Sequence, residues 1–251
     1  MYKGRKIAVI MPAYNAEQTL RRSFEEVCGQ GIADTVVIVD DCSRDGTEAV
    51  ARELAAKGAD SPKVIYRRHE HNLGYGGNQK TCYSLALGEG ADIVVMVHPD
   101  CQYTPKLMTA MVSMIAAGLH PCVLASRILG GYALKGGMPL WKYVNNRWLT
   151  AVMNLLMGAK LSEYHTGYRA FSAELLRKLP LDRNTDDFAF DAQMLAEILA
   201  TGATIGEVSC PTVYTPEASS INFIRSCKYG FGCLAAVLRY RFARKTLIRL
   251  L

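Results

Sequence analysis

Several structural and functional signatures are missing from this chain of 251 residues. A membrane span needs about 18 or more apolar residues in a row. The best candidate, "TAMVSMIAAGLHPCVLAS", is broken by Gly118 and by His120-Pro121, so it reads as a helix, a turn and a buried strand, and no transmembrane segment is expected. The eight cysteines are scattered, with no C-x-x-C pair, which predicts a reduced cytoplasmic protein rather than a disulfide framework. "MYKGRKIAVI" shows no secretory signal and moves straight into a strand-like run ending at Pro12. No internal repeat, low-complexity tract or linker interrupts the chain, and the composition shifts only after Ser220. The net charge of +6 is modest for this length and suits an anionic ligand or an anionic membrane surface as well as nucleic acid.

Alternating elements dominate what is present. "KIAVIMPAY", "DTVVIVDD", "KVIYRRH", "DIVVMVH" and "PCVLASR" read as strands, with helical patterns between them. Half of the residues are hydrophobic, enough for a sizeable core, and near-continuous Val/Ile runs imply strands buried on both faces. The prediction is an α/β fold, a mostly parallel sheet flanked by helices, with C-terminal amphipathic helices. Ligands of such sheets bind beyond the carboxyl ends of the strands. Pro12-Tyr14, Asp40-Asp41 and His98-Asp100 all fall there.

"VDDCSRDGT" sets Asp40, Asp41, Ser43 and Asp45 between a strand and a helix. Ser43 or Asp45 would cap that helix, but a cap needs one such residue, and two adjacent acids exceed the need. A carboxylate here accepts hydrogen bonds from a base N–H or from ribose hydroxyls. "HNLGYGGNQKT" is neither G-x-G-x-x-G nor a P-loop; its glycines allow close backbone approach at a helix start, where amides face an anion. In "NTDDFAFDAQML", Asp186 or Asp187 would cap a helix, with Asp191 on the same face as Asp187. At "VVMVHPDCQY" the imidazole of His98, before a proline at a strand end, has as its structural role a bond to a backbone carbonyl.

Taken together, "MPAYNAEQTL", "VDDCSRDGT", "HNLGYGGNQKT", "HPDCQYTP" and "TGYRAFS" resemble, in order and spacing, the motifs of family 2 glycosyltransferases. The likeness is to the branch of dolichol-phosphate mannose synthases and bacterial polyprenyl-phosphate glycosyltransferases, and covers roughly residues 5–215. It implies a GT-A nucleotide-sugar-binding fold. Carried over by position, Pro12 and Tyr14 contact the base with Val39 beside it, and Asp41 reaches the base or ribose. Asp100 is then the metal carboxylate, with His98 assisting; Pro99 and Gln102 lie near the donor, Gln102 by the diphosphate and metal. Arg127 and Arg169 would meet an acceptor phosphate, although Arg169 could equally tie its loop to an acid. His165 is read as structural.

The chain departs from the branch in carrying Ala16 where glutamate is usual, His98 where aspartate is usual, and "YTPEASSINF" in place of a basic segment. These departures bear on donor and acceptor identity, not on the fold. Mn²⁺ accepts imidazole more readily than Mg²⁺, so His98 tilts an expected Mg²⁺ or Mn²⁺ site towards Mn²⁺.

The expected activity is inverting, metal-dependent transfer from a UDP- or GDP-linked sugar to a polyprenyl phosphate, with no nucleic-acid partner. Two alternatives stand beside it: a hydroxyl acceptor with Asp191 as general base, or a nucleotide-sugar-binding protein without turnover. Residues 1–219 would form the GT-A domain. Residues 220–251 would form a basic amphipathic segment with Arg239, Arg241, Arg244, Lys245 and Arg249. That segment would lie on an anionic membrane surface, at its cytoplasmic face, or pack against a second subunit of a homo-oligomer.

Overall fold

The computed structural model describes residues 1–56, 62–214 and 229–239. Seven strands, β1 (Ile7–Ala13), β2 (Thr35–Asp40), β3 (Lys63–Arg68), β4 (Ile93–Met96), β5 (Cys122–Ser126), β6 (Arg169–Ser172) and β7 (Ile205–Ser209), form one sheet in the order β3-β2-β1-β4-β6-β5-β7. β1 runs parallel to β2 and β4, β2 to β3, and β5 to β7. The short β6 is antiparallel to both β4 and β5. The sheet is therefore mostly parallel, as the Val/Ile runs predict.

Every residue of β1, β2, β4 and β5 is buried, because helices cover both faces. Strand alternation divides the core in two. Ala8, Ile10, Val37, Val39, Val94 and Met96 face α3 (Tyr75–Gly88), α5 (Leu140–Met157) and α7 (Phe190–Ala200). Ile7, Val9, Met11, Val36, Ile38 and Val95 face α1 (Leu20–Cys28), α2 (Thr47–Ala56) and α4 (Met108–Ala116). The edge strand β3, "KVIYRR", is charged and partly exposed, as suits a strand with one unpaired side.

Asp45 caps α2, accepting from Thr47 N–H at 3.1 Å, whereas Ser43 turns to Asp40. The expectation that Asp186 or Asp187 caps α7 is corrected: the helix starts after Ala189 with no side-chain cap. Asp186 is engaged elsewhere, its carboxylate on Lys80 at 2.7 Å and its carbonyl on Gly76 N–H at 2.7 Å. Residues 229–239 are helical (α8), with Cys233 and Val237 fully buried in the core. Arg241, Arg244, Lys245 and Arg249 lie outside the described residues, as does all of "YTPEASSINF" beyond Tyr214. No described helix is long and apolar enough to cross a membrane, and the seven described cysteines are free.

Candidate active site

The chain order reverses between β1 and β4: β2 and β3 build out from one side of β1 and β4 from the other. A crevice forms at such a switch point, outside the carboxyl ends of the strands. Three non-glycine residues with left-handed backbone stand just past those ends, Asn15 (φ 50°), Cys42 (φ 59°) and Cys101 (φ 55°). Such conformations cost free energy and persist where surrounding structure imposes them. They turn the chain around a cavity of about 1590 Å³, larger than the usual 300–1,000 Å³ ligand pocket. Pro12, Tyr14, Asp41, Asp100 and Gln102 line it, and so do Trp141, Trp148, Phe231 and Leu234.

Asp41 is 3% exposed. Its Oδ1 accepts from His69 Nδ1 and Leu73 N–H, each at 2.8 Å, and its Oδ2 from Gly74 N–H at 2.9 Å. The glycine-rich helix start does face an anion, but that anion is the chain's own Asp41 carboxylate. The glycines admit the 185–186 backbone: a Cβ on Gly74 would lie 2.6 Å from the Asp186 carbonyl oxygen, and one on Gly76 2.5 Å from that of Thr185. Asp40 is fully buried and bonds Ser43 N–H at 2.9 Å and Arg68 Nε at 3.2 Å, so it holds the loop. Val39 is fully buried. Its side chain belongs to the core beneath the cavity and does not line it.

Past β4, Pro99 is buried in the turn, and Asp100 Oδ1 accepts from Gln102 N–H at 3.0 Å. Oδ2 has no hydrogen-bond partner among the described residues, and Asp100 is partly exposed to the cavity. His98 stacks on Tyr75 with its Nε2 3.2 Å from the Tyr75 hydroxyl, and that hydroxyl donates to Asp191 Oδ2 at 2.9 Å. Burial lowers the His98 pKa, outweighing Asp100 and Asp191, so the imidazole is neutral. Tyr75 has one proton and gives it to Asp191; His98 Nε2 must then be the donor to Tyr75. That leaves Nδ1 as the unprotonated nitrogen. Gly167 is required here, since a Cβ would lie 2.5 Å from the His98 ring.

Asp191 is 5% exposed and also accepts from Gln79 Nε2 at 3.2 Å and pairs with Arg169 at 3.3 Å. A carboxylate with three such partners anchors Tyr75, Gln79 and Arg169 to one another. Arg169 is fully buried and does not line the cavity. Its guanidinium also donates to the carbonyls of Thr166 (2.7 Å), Tyr164 (2.9 Å) and Asp191 (3.2 Å). The expectation that Arg169 meets an acceptor phosphate is corrected: it ties its loop to Asp191. Arg127 does reach the cavity wall, but its charge is already met by Glu163, which contacts Nε at 2.8 Å and the NH2 nitrogen, while Tyr214 takes NH1 at 3.0 Å. Burial acts to raise the Glu163 pKa, and Arg127 overrides it, holding the acid below its usual range. Lys142 also lines the cavity, its pKa lowered by burial and then by the Arg127 charge.

The sequence does not announce Tyr75 and Lys142 on the cavity wall, nor His69, Gln79 and Glu163, which hold the wall residues Asp41, Asp191 and Arg127. Tyr75 stands between glycines in "LGYGG", where nothing indicates a partner 116 residues away. Among the described residues no three His, Cys, Asp or Glu side chains come together as a metal cage. Asp100 Oδ2 and His98 Nδ1 are thus two protein donors at most, a set that fits a divalent cation only if phosphate oxygens and water complete its shell.

Residues 8–180 match the family described as glycosyl transferase family 2. Among curated relatives, a UDP-N-acetylglucosamine–dolichyl-phosphate N-acetylglucosaminyltransferase from Methanococcus voltae is 31% identical over 218 residues, 83% of this chain and 86% of the relative. A polyprenol monophosphomannose synthase from Mycolicibacterium smegmatis is 24% identical over 219 residues, 87% of this chain and 80% of the relative. Glucosyl-3-phosphoglycerate synthase from Mycobacterium tuberculosis, solved with Mn²⁺, UDP and glucosyl-3-phosphoglycerate, superposes with a TM-score of 0.67 at 20% identity, over 94% of this chain and 80% of that one. That likeness establishes the GT-A fold.

Proposed function

The chain belongs to glycosyl transferase family 2 and is a glycosyltransferase, and we propose that it transfers a sugar, with inversion, from a nucleoside-diphosphate sugar to a polyprenyl phosphate at the cytoplasmic face of a membrane. The observation that carries the acceptor is the state of Asp191. A hydroxyl acceptor needs a base to take its proton. Asp191, the acid positioned for that task, is committed to Tyr75, Gln79 and Arg169. A phosphate acceptor is already anionic and needs no base. The apolar side chains of the lining, Trp141, Trp148, Phe231 and Leu234, suit an isoprenoid chain, and Lys142 and Arg239 line the cavity as cations for its phosphate. The names of the Methanococcus and Mycolicibacterium relatives agree with this acceptor class.

For the donor, Tyr14, 48% exposed, offers a ring to the base. Asp41 holds the loop that walls the base pocket and has a lone pair left on Oδ2 for a base or ribose donor. Asp100, with His98 Nδ1 beside it and Gln102 close by, would hold Mg²⁺ or Mn²⁺ together with the diphosphate. When bound, the cation offsets charge on the departing nucleoside diphosphate. Tyr75 fixes His98 through Nε2 and so keeps Nδ1 available. The acceptor phosphate oxygen attacks the anomeric carbon as the sugar–phosphate bond breaks, and no proton moves through the protein.

A thermal-shift screen of UDP-, GDP- and dTDP-sugars, each with and without Mn²⁺, tests the donor half. A rise in melting temperature that needs both nucleotide sugar and Mn²⁺, and disappears in Asp100→Asn, is expected. An equal rise in Asp100→Asn would remove Asp100 from the site.

A further inference from the structure

The chain has two tryptophans, Trp141 and Trp148, both on α5 and 40% and 60% exposed. Leu140, Val144 and Leu155 on the same helix are 66%, 55% and 83% exposed. At about 100° per residue these five side chains fall within an arc of roughly 100°. The opposite side of α5 is the one that packs inward, through Leu149, Met153 and Met157. The helix is therefore apolar on two opposed faces, and only one of them has a partner in the fold. Leu129, Tyr132 and Leu134, on the loop that precedes α5, are 46–51% exposed as well. A continuous exposed apolar surface of this kind marks an interaction site.

Charge identifies the occupant. Residues 128–162 hold four cations, Lys135, Lys142, Arg147 and Lys160, and no acid. Lys135, Arg147 and Lys160 are exposed. A two-fold contact between copies of this chain would set this cationic patch against itself, which is repulsive. An anionic bilayer meets both features: tryptophan and aliphatic side chains enter the boundary of headgroups and acyl chains, and the cations meet lipid phosphates. Trp141 and Trp148 also line the cavity, so the patch and the cavity share these two side chains.

We propose that the outer face of α5, with the 129–135 loop, is a membrane-docking surface that seats the cavity mouth on an anionic bilayer. This deepens the acceptor reading above and rests on it only for what enters the mouth.

Because both tryptophans of the chain lie on the surface in question, the full chain carries its own reporter. Its emission is measured with vesicles of phosphatidylcholine alone and mixed with phosphatidylglycerol, alongside co-sedimentation. With the anionic vesicles, a blue shift and quenching by acyl-brominated lipid are expected, both weakened by salt. Val144→Asp combined with Leu155→Asp, at two exposed positions off the cavity wall, should weaken vesicle binding roughly tenfold or more while circular dichroism and nucleotide-sugar binding stay unchanged. Co-sedimentation without a change in emission would overturn the proposal, because another surface would then make the contact. Failure to co-sediment would overturn it as well, and so would a blue shift that follows protein concentration without lipid, the mark of a second copy on this face. Transfer to detergent-dispersed polyprenyl phosphate, measured in parallel, separates the two readings. Its absence with docking intact would sink the acceptor and leave the surface standing.

Discussion

Asp41→Asn is predicted to unsettle the fold around the site before it affects any ligand. The carboxylate accepts three hydrogen bonds, two of them from the backbone amides that open α3. An amide has one acceptor oxygen, and its best orientation keeps His69 and Leu73 on that oxygen and turns the NH2 towards Gly74. One charge-assisted bond is lost, worth about 1.5–3 kcal/mol, and a buried donor is left facing a donor, at about 1–3 kcal/mol. The sum is about 2.5–6 kcal/mol. For a chain of this size each kcal/mol moves the melting temperature by about 2–4 °C, so a fall of roughly 5–25 °C is expected by circular dichroism. Nucleotide-sugar affinity should fall as well, because the loop at 72–74 lines the cavity beside the base pocket. A variant that melts with the wild type and loses only nucleotide affinity would refute this reasoning, since Asp41 would then serve the ligand and not the loop.

Three further outcomes follow from the same contacts. Gly167→Ala should push the His98 ring off Tyr75, and transfer should fall at least tenfold with little change in melting temperature; unchanged transfer would show that the imidazole position is immaterial. Burial lowers the His165 pKa to about 4, so the unfolded chain binds the extra proton first and stability is lost as pH falls below about 6.5. Burial raises the Glu197 pKa to about 7, so that group takes stability away as pH rises above about 4.5, and the two slopes oppose each other between pH 5 and 6.5. Glu197→Gln removes one of them: its urea midpoint should drop from pH 6.5 to 5 more steeply than the wild type's, and parallel curves would contradict the assignment.

The sheet was legible because its strands are runs of β-branched residues ending on polar turns. "DTVVIVDD" and "DIVVMVH" leave few alternatives, and the positions just past them are where the cavity opens. The four-residue β6 was not legible, since "RAFS" acquires strand character only from lying between β4 and β5. Nor was the use of the arginines. Arg127 and Arg169 look alike in sequence, and whether a guanidinium faces ligand or protein depends on Glu163 and Asp191, whose approach the fold decides. At Asp41 the motif correctly marks the cavity, but the bonds made there come from amides 32 and 33 residues away. At His98 the question left open was carbonyl partner or metal assistant. The tyrosine at position 75 changes its terms, because it takes Nε2 and leaves Nδ1.

The central claim is tested most directly by one assay: transfer of labelled sugar from UDP- and GDP-sugars to a polyprenyl phosphate, in Mn²⁺, Mg²⁺ or chelator, by the wild type and Asp100→Asn. A chloroform-soluble glycosyl phosphate is expected from at least one donor, dependent on the cation and lost in Asp100→Asn. Transfer to a soluble hydroxyl acceptor with none to the lipid phosphate, or full cation-dependent transfer by Asp100→Asn, would contradict it.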